Sequence, residues 1–283
     1  MPSIVYLNGE FVARSNAKIS VLDRGFLFGD GIYEVIPVYQ GKSFRLSEHL
    51  ARLNDCLHKV QITNPYTEKQ WQSLIEQVVE KNDEKNTSVY IQVSRGFQQE
   101  RNHVATPAVK PTVLVMTSPL SSGDAELKPI KATLLEDIRW KHCDIKSIAL
   151  LGNIMLRQEA EARGCQEAIL HRKQKVTEGA TSNVFIVKSG VIYTPEKNQY
   201  ILGGITRDLI IELAEKASIK VIEAQISTDE LFTADEVWVS SSSREISPVT
   251  QIDDKIIAQG EIGSIAKKLH CDFQAFKQTL IND

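Results

Sequence analysis

The chain has 283 residues, 42% hydrophobic and 24% charged, with a formal net charge of −3. That length allows two domains of roughly 100–150 residues, each with a core of its own. The near-neutral charge, with no dense Lys/Arg run, argues against a nucleic-acid partner or an anionic membrane surface. Cys56, Cys143, Cys165 and Cys271 are scattered and form no C-x-x-C pair, so no zinc ribbon, other metal site or disulfide framework is expected. No apolar run approaches the length of a membrane span, and the start lacks a basic stretch followed by an apolar one. A cytoplasmic protein is expected.

Ser3 to Phe11 is apolar and broken by Asn8-Gly9, which predicts a hairpin. Ile32–Tyr39 reads as a strand ended by a turn at Gly41. Ser47 is the expected N-cap of a helix that buries Leu50, Leu53, Leu57 and Val60. A second helix is predicted over Thr67–Lys81, with Trp71, Leu74, Ile75 and Val78 on one face. Strands are predicted at Ser88–Ser94 and Pro111–Thr117. Residues 119–128, rich in Ser, Gly and Pro with few large apolar side chains, read as a linker. It would divide a smaller N-terminal α/β domain, 1–118, from a larger one, 129–283. Beyond it the expected strands are Lys131–Asp137, Ala168–His171, Val184–Val187, Val191–Thr194 and Glu236–Ser240. The expected helices are Ile154–Ala162 and Thr206–Ala217. Strands and helices interleave without the βαβ rhythm of a doubly wound sheet, so the class is mixed α/β (α+β).

Five short segments could carry chemistry. Lys146 lies in Asp144-Ile145-Lys146-Ser147-Ile148-Ala149. Buried among apolar neighbours, its amine would be a nucleophile for an aldehyde; otherwise it is a lysine on the outer face of a strand. Glu178, within Thr177-Glu178-Gly179-Ala180-Thr181-Ser182-Asn183, could pair with a protonated ring nitrogen, or the segment is a polar turn. Gly203-Gly204-Ile205-Thr206-Arg207 opens a helix whose first N–H groups suit a phosphate, unless it is a plain glycine turn with a threonine cap. Ser240 to Ser243 are four consecutive serines after a strand, able to bond a phosphate oxygen or to form a solvated turn. Arg101 and His103 could clamp a carboxylate from the polar loop 98–106, or simply face solvent there.

These segments, with Gly29-Asp30-Gly31-Ile32-Tyr33-Glu34-Val35 and Glu48-His49-Leu50-Ala51-Arg52-Leu53, resemble in order and spacing the fold-type IV pyridoxal-phosphate (PLP) aminotransferases. The resemblance runs from Tyr6 to about Phe273. Within the class it is strongest to the D-amino acid aminotransferases, through Glu136-Asp137-Ile138-Arg139-Trp140, Gly164-Cys165, Glu167 to Arg172 and Arg101-x-His103. The resemblance implies a two-domain fold in which the C-terminal domain carries the cofactor lysine. It implies that Lys146 forms the Schiff base with PLP and moves the substrate proton. Glu178 would face the pyridine nitrogen. Arg52, Ile205, Thr206 and Ser242 would hold the phosphate, and Leu202 would pack on the ring. Tyr33, Arg101 and His103 would receive the substrate carboxylate, the last two from the other subunit of a homodimer.

The implied reaction is transamination between D-amino acids, D-alanine among them, and 2-oxo acids such as pyruvate or 2-oxoglutarate. The sequence departs from the pattern in four places. The Arg101 loop is shifted by one residue and lacks a proline. Thr181 stands for a serine and Ser242 for a threonine, both keeping a hydroxyl. Arg244 brings charge where a small polar residue is usual. The nearer alternatives are a branched-chain L-aminotransferase or an aminodeoxychorismate lyase of the same fold. A catalytically silent scaffold is more distant, because Lys146, Glu178 and Arg52 occur together.

Overall fold

Asn8 and Gly9 both take positive φ, 50° and 106°, the backbone that a two-residue hairpin turn of type I′ requires. They join β1 (Ile4–Leu7) to β2 (Glu10–Ala13) in the computed structural model, which describes residues 3–107, 109–120 and 127–282. The described residues fall into two units.

The first unit continues with α1 (Arg24–Phe28), β3 (Gly31–Tyr39), β4 (Lys42–Ser43), α2 (Leu46–Lys59), α3 (Glu68–Asn82), β5 (Thr87–Ser94) and β6 (Thr112–Pro119). Its six strands form one antiparallel sheet in the order β2-β1-β6-β5-β3-β4. β3 alternates: Ile32, Glu34 and Ile36 are buried, while Tyr33 and Val35 are half-buried. Ile32 and Ile36 join Leu53 and Leu57 of α2 and Trp71 and Ile75 of α3 in one core. Truncating such a leucine to alanine costs about 2–5 kcal/mol. α3 starts where the sequence predicts, with Thr67 and Gln70 closing a capping box. α2 does not. Ser47 lies inside the helix, and the cap position falls on Arg45, in the left-handed region at φ 51°. The helix therefore starts two residues early, and Glu48 in its first turn both meets the helix dipole and pairs with Arg45 at 2.7 Å.

The second unit contains β7 (Ile130–Glu136), α4 (Leu151–Ala162), β8 (Glu167–Arg172), β9 (Lys175–Gly179), β10 (Asn183–Lys188), β11 (Val191–Thr194), α5 (Ile205–Lys216), β12 (Val221–Glu223), α6 (Thr228–Phe232), β13 (Glu236–Ser241), β14 (Glu245–Ile252), β15 (Lys255–Ile256) and α7 (Ser264–Asn282). Its sheet runs β12-β11-β10-β13-β14-β7-β8-β9, with β15 on β14. Parallel pairs (β14 with β7, β7 with β8, β11 with β12) are mixed with antiparallel ones, so the class is α/β of mixed kind. Thr177 to Gly179, read as part of a polar segment, are the end of β9, and only residues 180–182 lie between strands. β14 contains Pro248, a residue that argues against a strand when only the sequence is read.

The sequence reading placed residues 145–149 in the C-terminal part of the chain. Ile145–Ala149 packs with the first unit, not with the C-terminal part of the chain. The reason is backbone pairing. Tyr33 N–H donates to the Lys146 carbonyl at 2.9 Å, and Ile148 N–H donates to the Gly31 carbonyl at 3.0 Å. The segment thus adds to the edge of β3 where β3 begins. Residues 121–126 of the expected linker lie outside the described residues. No described helix is long and apolar enough to cross a membrane.

Candidate active site

In the first unit Lys146 is half-buried, its Nζ 4.3 Å from the centre of the Tyr33 ring. Among the described residues its amine has no carboxylate partner. Tyr33 in turn stacks on Tyr90, ring centres 5.7 Å apart. Tyr90 donates to Gln92 Oε1 at 2.8 Å, and burial with the neighbouring Tyr33 pushes its hydroxyl up to about 12, so it stays a neutral donor. One face of β3 and β5 thus presents an amine on an aromatic floor.

The other face of β3 carries a charge cluster. Arg52 grips Glu34 through Nε (2.7 Å) and Nη2 (2.8 Å), and His49 Nδ1 meets Glu34 Oε2 at 2.8 Å. His49 and Arg52, three apart, share one face of α2, which is why both reach one carboxylate. Burial opposes the Glu34 charge, but Arg52 outweighs it and holds the carboxyl well below the usual range. Burial also keeps His49 low, against the pull of Glu34. The imidazole is therefore neutral, and its Nδ1–H is the donor. Burial weakens the Arg52 charge less than Glu34 strengthens it. The result is a guanidinium held in one orientation by a two-point contact.

In the second unit Glu178 is buried on β9. Its Oε1 accepts from Arg139 Nη1 at 2.6 Å, and its Oε2 from the Leu202 N–H at 3.0 Å and Asn183 Nδ2 at 3.2 Å. Burial pushes this carboxyl up to about 7, although Arg139 pulls against it. Arg139 is anchored in its turn by Asp137, through Nε at 2.9 Å and Nη2 at 3.0 Å. Asp137 also takes bonds from Arg172 and Thr177. A second cation beside Glu178 would favour its charged form.

The start of α5 is open. Gly204 occupies the cap position and supplies no side-chain bond, so the first N–H groups, Ile205 and Thr206 among them, are not capped from within the helix. A Cβ on Gly204 would stand 2.0 Å from Asn183 Oδ1, so only glycine lets Asn183 reach both Glu178 and the Leu202 carbonyl. On β13, which pairs with β10 at Asn183, the Ser240 hydroxyl is buried and has no hydrogen-bond partner among the described residues. Ser242 lies in the turn between β13 and β14.

Within the second unit, the open helix start is a feature that suits an anion, and the buried Glu178 carboxyl one that suits a cation. The comparisons with known proteins agree. The model for amino-transferase class IV matches residues 31–252, more than half of the chain. The chain belongs to the class IV aminotransferases. It is 40% identical over 276 residues to the D-alanine aminotransferase of Staphylococcus epidermidis, covering 97% of this chain and 98% of that one. In structure it is similar to a branched-chain amino acid aminotransferase of Escherichia coli, with TM-score 0.91, 27% identity and coverage of 97% and 94%. A branched-chain aminotransferase of Thermoproteus uzoniensis, solved with norvaline, gives TM-score 0.87, 26% identity and coverage of 99% and 95%.

In this class IV chain Lys146, Tyr33 and Arg52 belong to the first unit, and Glu178, Leu202, Ile205, Thr206 and Ser242 to the second. Arg101 and His103 are exposed in the loop between β5 and β6. Among the described residues neither has a hydrogen bond, ion pair or ring contact with Tyr33 or Lys146; both pack on Phe28. Two of the departures noted in the sequence are turned toward Glu167. Thr181 donates to it at 3.2 Å, and Arg244 lies 3.4 Å from it while also donating to the Gln166 carbonyl. Sequence reasoning assigned no role to Glu34, His49, Arg139 or Asn183. The spacing of His49 and Arg52 was a usable signal for the first two. Nothing local marks Arg139, which stands 39 residues before Glu178.

Proposed function

We propose that this chain catalyses PLP-dependent transamination between D-amino acids, D-alanine among them, and 2-oxo acids such as pyruvate or 2-oxoglutarate. The observation that carries the reading is the likeness, over nearly its whole length, to D-alanine aminotransferase, joined to a Lys146 with no carboxylate partner among the described residues and a buried Glu178. When bound, PLP supplies an aldehyde and an electron-accepting ring that carry the amino group from one substrate to the other.

The chain's own residues take the remaining roles. Lys146 holds the cofactor through its amine and then moves the proton at the substrate Cα. Glu178, steadied by Arg139 and Asn183, keeps the ring nitrogen protonated. Leu202 packs on the ring. Arg52, the N–H groups of Ile205 and Thr206, the Thr206 hydroxyl and Ser242 bind the phosphate. Tyr33, Arg101 and His103 take the substrate carboxylate. As the resemblance to the class implies, the active unit is proposed to be a homodimer in which this loop serves the partner's site; the exposure of Arg101 and His103, away from Tyr33 and Lys146 of their own chain, supports that reading. A cytoplasmic setting suits such small, charged substrates.

Arg52→Lys should weaken PLP binding roughly ten- to hundredfold, the loss of one charge-assisted bond. A lysine can neither hold Glu34 at two points nor keep the orientation that the fork imposes. Cofactor titration followed by absorbance is the measurement, and equal affinity in both proteins would remove Arg52 from the phosphate site.

Substrate choice is tested with D-alanine against L-alanine and L-leucine, with 2-oxoglutarate as acceptor. The D-amino acid should be preferred. A guanidinium stays charged at any working pH and matches a carboxylate at two points. Arg101→Ala should therefore raise KM for D-alanine roughly ten- to hundredfold while the cofactor spectrum is kept. A preference for L-leucine would move the chain to the branched-chain group, which its neighbours in structure represent.

A further inference from the structure

The loop that carries Arg101 and His103 is held from one point that no role above explains. Its two ends meet at Gly96, φ 107°, where a Cβ would lie 1.8 Å from the Lys110 carbonyl oxygen. Gln98, buried, ties the loop to itself. Its Nε2 donates to the Glu100 and Val104 carbonyls, and its Oε1 accepts from the Thr106 N–H at 3.0 Å. These contacts shape the loop but do not fix where it points. Between the loop and the rest of the unit there is a cavity of about 770 Å³, bordered by Arg24, Phe28, Asp30, Arg95, His103 and Val104. At the loop's base the Gln98 N–H meets the Leu22 carbonyl at 3.5 Å and Phe97 pairs with Asp23, and beyond that base the loop's course depends on the bonds that reach its tip.

Arg24, in α1 and 5% exposed, makes them. Its Nη1 donates to the carbonyl of Asn102, and its Nη2 to the carbonyl of His103 at 2.8 Å. Its Nε is spent on Asp30 at 2.7 Å. Asp30 is itself gripped by Arg95 at 2.8 Å and 3.0 Å, and Arg95 is bonded to the carbonyls of Val60 and Gln61. The anchor is therefore rigid. Phe28 completes it, with the Arg24 guanidinium 5.0 Å and the Arg101 guanidinium 4.9 Å from its ring centre, and the His103 ring 5.3 Å away.

We propose that Arg24 is a positioning residue for substrate recognition, fixing the backbone of Asn102 and His103 so that Arg101 and His103 are presented together to the substrate carboxylate. This rests on the reading of Arg101 and His103 as the carboxylate site. Arg24 never touches the substrate. It acts because a planar fork can bond two successive carbonyls while its third edge stays on Asp30, which a lysine cannot do.

The test uses the holoenzyme and Arg24→Lys, which keeps the charge beside Asp30 and over Phe28. KM for D-alanine should rise about tenfold, with kcat within about twofold and the cofactor absorbance unchanged. Amide exchange across residues 99–104 should speed up. In the Arg101→Ala background, Arg24→Lys should raise KM by less than it does alone, because Arg101 is one of the two groups that it presents. Asp30→Asn, which loosens the anchor without removing it, should give a smaller rise in the same KM. An unchanged KM in Arg24→Lys, with a raised KM in Arg101→Ala, overturns the role of Arg24 and leaves the carboxylate site standing. An unchanged KM in Arg101→Ala overturns the carboxylate site and the role of Arg24 with it. Additive effects, or a fall in kcat with loss of the cofactor band, overturn the positioning role in favour of a general one in folding.

Discussion

Lys146→Ala should abolish the absorbance of lysine-bound cofactor and lower turnover by at least about 10²–10⁴-fold, the usual contribution of a positioned acid–base group. The amine is set on the Tyr33 ring, and the Lys146 carbonyl and amide are tied to Tyr33 and Cys56. Those backbone bonds survive the substitution, so the fold should persist and the loss should be chemical. The check is a spectrum and a stopped assay on the purified variant, with circular dichroism to confirm the fold. Phosphate-held PLP should still bind, more weakly, without its lysine-linked band. Wild-type turnover in this variant would end the assignment of Lys146.

Glu178→Gln should retain the cofactor and lose roughly 10²–10⁴-fold in kcat, because breaking a buried charge pair typically costs about 3–5 kcal/mol. The glutamine keeps the shape and can still accept from Leu202 N–H, but it no longer offers a charge to a ring nitrogen or to Arg139. The buried carboxyl also gives a second readout. Without the cofactor, burial places Glu178 at about 7. An acid raised in this way is largely protonated below that pH, and a cation brought beside it favours the ionised form. The carboxyl carbon signal of Glu178 should therefore titrate near neutrality in cofactor-free protein and stay in its ionised position with cofactor bound. An unchanged kcat, or identical titration in both forms, would assign the ring nitrogen to another group.

The sequence by itself determined the elements whose signals are local. Asn8-Gly9 specifies a hairpin because few residues accept positive φ, and Thr67 with Gln70 starts α3 because a capping box needs only four residues. The apolar period of Leu50, Leu53 and Leu57 marks the buried face of α2 whatever that face meets. The segments around Lys146, Glu178 and Thr206 could be singled out because a lysine among apolar residues, a carboxylate beside glycine and a glycine pair before a helix are local patterns.

Only the tertiary structure decided which charges meet. The resemblance assigned Arg52 to a phosphate, yet the fork it offers is oriented by Glu34, 18 residues away. Glu178 meets Arg139, and Arg24 meets the carbonyls of Asn102 and His103, 78 and 79 residues further on. The 145–149 segment follows the second unit's first strand in the chain but pairs with β3 in the first. The physical reason is the same in each case. Periodicity and turn chemistry are properties of neighbouring residues. An ion pair or an edge-strand pairing can form with any of many equivalent partners, and chain topology selects among them by bringing one within about 3 Å.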